Sequence, residues 1–128
     1  MNETHGVVDR KVEAALEHMR AEPSSTHTVA SLARRVGLSR AAFARRFARA
    51  TGTTPLRHLT RVRLALAAER LTKTDDSLAE IAWLVGYGTE FALSRAFKRE
   101  HGVPPRTYRR LLSVPFAGGV ASTLRLAA

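Results

Sequence analysis

The chain has 128 residues, enough for one domain or two very small units sharing a core, and its hydrophobic fraction of 45% excludes wholesale disorder. Twenty-one Lys and Arg against 11 Asp and Glu leave a formal charge of +10, which points to a polyanionic partner: nucleic acid first, an anionic membrane surface second. The absence of cysteine excludes disulfides, cysteine-ligated zinc and thiol catalysis.

The N-terminus, MNETHGVVDRK, lacks a basic segment followed by an apolar core, so no secretion signal is expected. No apolar run approaches the ~20 residues needed to span a bilayer, so no membrane partner is expected and the default compartment is the cytoplasm, on the nucleoid. The first helix is marked by Val12, Ala15, Leu16 and Met19 on one stripe, and Pro23 ends it. Ser24 to His27 is a loop. Thr28 caps a short helix running through Val36, which Gly37 stops in a left-handed conformation. Ser39 caps the next helix, about 39–51, which stops at Gly52.

Pro55 suits the first turn of a long helix, 55 to about 73, with Leu56, Leu59, Val62, Leu66 and Leu71 as its apolar face. Ser77 and Glu80 form a capping box for a short helix to Val85, broken by Gly86. In that helix Trp83 is expected to pack beside Ile81, Ala82 and Leu84. Asp75 and Asp76 are expected to favour its N-terminus. Thr89 caps a helix to about His101, stopped by Gly102, and Pro104 or Pro105 opens a last helix to about Leu112. The tail, SVPFAGGVASTLRLAA, has no clear period and is expected to be mobile or loosely docked.

Two of these stretches repeat. Leu32, Ala33, Val36 and Gly37 align with Ile81, Ala82, Val85 and Gly86 at an offset of 49. After one inserted residue the offset is 50, and Ser39, Arg45, Phe47, Arg49, Gly52 and Pro55 match Thr89, Arg95, Phe97, Arg99, Gly102 and Pro105. Each unit is a short helix, a glycine turn and a longer helix, the helix-turn-helix plan. The expected fold is therefore all-α, with about seven helices: two homeodomain-like helix-turn-helix subdomains joined by a long linker helix. The segments are 1–23 (arm and first helix), 24–54 (first unit), 55–74 (linker), 75–112 (second unit and final helix) and 113–128 (tail).

The longer helices carry the charge. Residues 24–68 contain nine arginines and no acid, and 18 of the 21 basic residues are Arg, whose planar fork suits phosphate and guanine edges. At 100° per residue Phe43 and Phe47 share a face, joined by Ala50, while Arg45 and Arg49 lie opposite with Ala41 and Ala48 beside them. Short alanines between arginines let such a helix lie deep in a major groove roughly 12 Å wide. In the second unit Leu93 and Phe97 face inward, and Phe91, Arg95, Lys98 and Arg99 outward. Phe91 suits thymine methyls, or packs on its own domain or another protein. Glu90 suits the helix dipole, or accepts from a cytosine amino group. The 19-residue linker spans about 28 Å, close to the ~34 Å between major-groove segments on one face of B-DNA. The same length also suits a plain structural helix.

SLAEIAWLVGYGTEFALSRAFKREHGVPPRTYRR and the linker stretch RLALAAERL resemble the DNA-binding domain of the AraC/XylS family of bacterial transcription regulators, over about 29–110. The resemblance implies a regulator that binds double-stranded DNA and reads two successive major grooves, one per unit. It places Arg40, Ala41, Ala44 and Arg45 at base-reading positions in the first unit, and Glu90, Phe91, Ala92 and Arg95 in the second. Arg49, Lys98 and Arg99 correspond to backbone contacts; Ser39, Arg46 and Thr89 are grouped with them. His27 stands where the family often has Trp, and Ala41 and Ala44 are smaller than common readers, which leaves Arg45 as the main direct reader of its unit. No sensor or effector domain is evident in the chain. RNA polymerase is a further partner to consider.

Neither a cofactor nor a metal site is expected: His5, His18, His27, His58 and His101 show no HxxxH or HExxH spacing, and there is no glycine-rich phosphate loop. Catalysis is not expected. The rival is an interaction module that binds a polymerase subunit, an acidic protein or RNA without reading DNA sequence, served by Trp83, Phe91 and the tail; a general polyanion binder would show steep salt dependence and no sequence preference.

Overall fold

The computed structural model describes residues 9–113. The expectations for the arm before Asp9 and for the tail after Ser113 lie outside these residues. Among the described residues there are seven helices and no strand: α1 (Arg10–Ala21), α2 (Val29–Arg35), α3 (Arg40–Thr51), α4 (Pro55–Lys73), α5 (Leu78–Val85), α6 (Glu90–His101) and α7 (Pro105–Leu112). The chain divides into two compact units at Val62 and Arg63, inside α4.

Capping fixes most helix starts. The Thr28 hydroxyl accepts from the Ser31 amide while the Ser31 hydroxyl accepts from the Thr28 amide. Ser77 and Glu80 make the same reciprocal pair at α5, at 3.1 and 2.7 Å. Ser39 and Thr89 accept from the amides of Ala42 and Ala92, both at 3.1 Å. Each such cap contributes about 1 kcal/mol. The short and long helices of each unit are separated by a glycine with positive φ, Gly37 at 75° and Gly86 at 100°, where a side chain would be strained.

In the first unit, Val12, Ala15 and Met19 of α1 close over Leu32, Ala33 and Val36 and over Phe43 and Phe47 of α3, with Leu59 completing the cluster. Leu16, Val29 and Leu38 pack against it, half-buried. His27 is also buried, and its Nε2 donates to the Glu22 carbonyl at 2.8 Å. Lys11 Nζ donates to the Val36 carbonyl at 2.9 Å, tying α1 to the end of α2. His58 lies edge-on to Phe47, ring centroids 5.7 Å apart.

In the second unit, Leu64, Ala67 and Leu71 of α4 pack with Ile81, Ala82 and Val85 of α5 and with Leu93, Ala96 and Phe97 of α6. Tyr108 of α7 meets Phe97 edge-on at 5.1 Å. Arg109 closes the end of α4, donating to the carbonyls of Leu71, Thr74 and Asp76.

Five sequence expectations are corrected. The apolar face of α4 is not Leu56, Leu59, Val62, Leu66 and Leu71. Leu56 is exposed, Val62 and Leu66 are half-buried, and Leu64 and Ala67 are buried instead. Leu59 belongs to one core and Leu64, Ala67 and Leu71 to the other, so no single stripe runs the length of the helix. Ala50 is exposed; the residue one turn after Phe47 is Thr51, whose hydroxyl donates to the Phe47 carbonyl at 2.8 Å. Trp83 is 75% exposed and Leu84 40% exposed. The buried face of α5 is Ile81, Ala82 and Val85, and Trp83 lies about 200° round from Ile81. Asp76, one residue before the Ser77 cap, gives its carboxylate to Arg70 Nε and Nη2 at 3.0 and 2.6 Å rather than to a backbone amide of α5. Val36 is the C-cap of α2 and lies outside the helix itself.

Candidate nucleic-acid interface

Each unit exposes one face of its longer helix and anchors the other. In α3, Phe43 and Phe47 are fully buried and touch each other, ring centroids 5.7 Å apart. With that face fixed, Arg40, Ala41, Arg45, Ala48 and Arg49 are exposed and Ala44 is half-buried. No acid stands in the first turn. In α6, Leu93 and Phe97 are fully buried and Ala96 nearly so. Arg95, Lys98 and Arg99 are exposed, Glu90 and Ala92 half-buried, and Phe91 is 75% exposed. Phe91 therefore does not fold back onto its own unit.

Among the described residues, Arg40, Arg45, Arg49, Arg95, Lys98 and Arg99 have no carboxylate partner, although the chain forms ion pairs elsewhere. Cations left unpaired on a helix face keep their full charge for an outside anion. Ser39 and Thr89 cap their helices with their side-chain oxygens, which starts α3 and α6 at Arg40 and Glu90. Glu90 lies in the first turn of α6, where the helix dipole favours a carboxylate.

Arg46 differs from the rest. Its Nε and Nη2 donate to Asp9 Oδ2 and Oδ1, both at 2.9 Å. The arginine grouped with the backbone contacts already holds a two-point partner within its own unit. The hydrogen bond from Arg46 keeps the Asp9 carboxyl below its ordinary range, against a smaller opposing effect of burial, and Asp9 in turn raises the Arg46 guanidinium. No periodicity or motif in the sequence marks Asp9 as a functional residue. An Asp one residue before a helix is a recognisable capping signal, but its partner is 37 positions away and follows no local period.

A second surface lies on α5. Arg70, Asp76, Ala79, Glu80, Trp83 and Leu84 line a groove of about 460 Å³. It lies wholly in the second unit. Among the described residues no group of three His, Asp or Glu side chains is placed to hold a metal ion, and no helix is long and apolar enough to cross a membrane.

A helix-turn-helix domain family model matches residues 32–111, from α2 into α7. A Streptomyces lividans protein assigned as an AraC-like transcription regulator is 44% identical over 110 residues, covering 86% of this chain and 36% of its own length. The chain belongs to the AraC-type helix-turn-helix family. The RCS-specific transcriptional activator RclR of Escherichia coli K12, with the same type of domain, is 41% identical over 96 residues, which is 75% of this chain and 31% of RclR. The chain thus spans about a third of the length of these curated relatives. Among solved structures, the DNA-binding domain of AdpA in complex with a target DNA superposes with a TM-score of 0.75 at 31% identity, covering 78% of this chain and 90% of that one. The C-terminal domain of the response regulator AraT from Geobacillus stearothermophilus gives 0.81 at 30% identity, covering 87% and 93%. The family-model match begins at Leu32, after α1 and its Asp9 and Lys11.

Proposed function

We propose that this AraC-type chain regulates transcription by sequence-specific binding to double-stranded DNA, α3 and α6 each entering a major-groove segment. The observation that carries this reading is the repeated helix with large apolar side chains buried on one face and, on the other, cations that have no carboxylate partner among the described residues: Arg45 and Arg49 in α3, Arg95, Lys98 and Arg99 in α6. The likeness to a domain bound to its target DNA supports it. Base readers are Arg40, Ala41, Ala44 and Arg45 in the first unit and Glu90, Phe91, Ala92 and Arg95 in the second. Ser39, Arg49, Thr89, Lys98 and Arg99 hold register on the phosphates. Phe91, exposed next to Arg95, suits the methyl of thymine. No reaction is assigned to the chain, and its place of action is the nucleoid in the cytoplasm. RNA polymerase is the protein partner of this reading, met through the exposed Trp83 and Leu84 rather than through the cationic helices.

The test is a pair of substitutions. Arg45→Ala and Arg95→Ala each cost about 1–3 kcal/mol on the preferred site and relax the sequence requirement at the contacted positions. Competition binding against random duplex measures both effects. Equal losses on the preferred site and on random duplex would remove the two arginines from the base-reading set.

A further inference from the structure

Four arginines lie on α3, and one of them is neutralised. Arg40, Arg45 and Arg49 have no carboxylate partner among the described residues, whereas Arg46 is held at two points by Asp9. Three features set this pair apart. First, residues 24–68 contain no acid, so the partner of Arg46 is brought from outside the stretch by α1. Second, the position matching Arg46 in the other unit, at the offset of 50, is Ala96, which is buried and needs no restraint. Third, Asp9 is itself pinned. Its Oδ1 also accepts from the amides of Lys11 and Val12 at 3.2 Å, its side chain is only 17% exposed, and α1 is anchored by Val12, Ala15 and Met19 in the core and by Lys11 on the Val36 carbonyl.

Arg46 sits at the margin of the cationic face, about 60° round the helix from Arg49. A released guanidinium there has the length to reach a DNA phosphate. Bulk DNA is bound in many registers and accepts any free cation, whereas the preferred site fixes the register through Arg45 and Arg49. An additional free arginine therefore favours random sequence more than the preferred one. We propose that Asp9 is a specificity-determining residue, which withholds Arg46 from phosphate and so keeps the first unit from binding DNA indiscriminately. This inference rests on the DNA-binding reading above.

The experiment measures binding of the full chain to a random duplex and to its selected site across salt concentration, for D9N, R46Q and the D9N/R46Q double variant, with R49Q and R45A as references. Asparagine keeps the capping oxygen for α1 and removes the charge. D9N is expected to tighten random-duplex binding at low salt, to steepen its log–log salt slope by about 0.9, and to lower the ratio of selected-site to random affinity. R46Q alone is expected to leave the random-duplex slope as in the parent chain, and the double variant to restore that slope. A parent-like slope for a folded D9N overturns the inference. So does an R46Q slope flattened as much as that of R49Q, because Arg46 would then already be on phosphate. If D9N unfolds the first unit, R46Q decides alone by the same criterion. R45A separates the two levels: an intact preference for the selected site in R45A defeats the base-reading role, while the random-duplex slopes still decide the role of Asp9.

Discussion

Arg45 and Arg46 are neighbours on α3, yet one guanidinium faces solvent and the other lies 2.9 Å from the Asp9 carboxylate. Whether a charge is available to a ligand depends on the contacts around it, and a helical wheel reports only its direction. The wheel placed Phe43, Phe47, Leu93 and Phe97 inside and Arg45, Arg49, Arg95 and Phe91 outside, as the structure has them, because a 3.6-residue period fixes the angle between faces. It had no means of finding Asp9. His58 gives a second prediction at this scale. Burial, with smaller contributions from the charges of Arg61 and Arg20, lowers its pKa from the ordinary 6.5. The folded ring therefore resists a proton that the unfolded chain takes up below about pH 6.5. The stabilising effect is fully present above that value and is lost as pH falls through the folded pKa. Thermal melts between pH 7 and 5 should show a falling midpoint, and the fall should be smaller in His58→Gln. An identical fall in that variant would assign the pH dependence to other groups.

At the scale of the element, helix ends are set by caps and glycines, and the two longer helices of the units are anchored by buried aromatics, Phe43 and Phe47 in α3 and Phe97 in α6. Gly86 has φ of 100°, so Gly86→Ala should destabilise the second unit by about 1 kcal/mol or more through backbone strain. Phe97 is fully buried between α6 and α7, stacked on His101 at 4.3 Å and edge-on to Tyr108. Phe97→Ala should cost about 3–5 kcal/mol, measured by denaturant titration. A cost below 1 kcal/mol for Phe97→Ala would show that Phe97 is not the anchor of α6. Helix starts and stops were legible in the sequence because capping residues and glycine act locally: Thr28, Ser39, Ser77 and Thr89 all cap where expected. The buried face of α4 was not legible. One helix contributes to two cores, and a period search assumes that a helix has one. Trp83 was misplaced for a related reason: sequence neighbours on a helix point 100° apart, so an apolar run of four cannot all be buried against one partner.

For the whole molecule, composition and duplication together carried the reading. The charge of +10 pointed to a polyanion, and the offset repeat turned one basic helix into two. The distribution is uneven: the first unit draws on an arginine-rich, acid-free stretch, whereas α6 has Glu90 and Glu100 among its cations. Arg-to-Gln substitution across the exposed arginines of α3 should therefore flatten the salt dependence of binding more than the same change across those of α6. Parallel salt titrations of the two sets measure this, and a larger flattening from α6 would reverse the assignment.

Selection of duplex sites from a random pool at physiological salt, carried out for the parent chain and for Arg45→Ala and Arg95→Ala, tests the central claim most directly. Two base-reading helices predict an enriched site with two separate sequence elements, bound roughly 10³-fold or more tightly than bulk DNA, with one element relaxed by each substitution. A pool that stays random, or two variants that lower binding to every sequence alike, would contradict it.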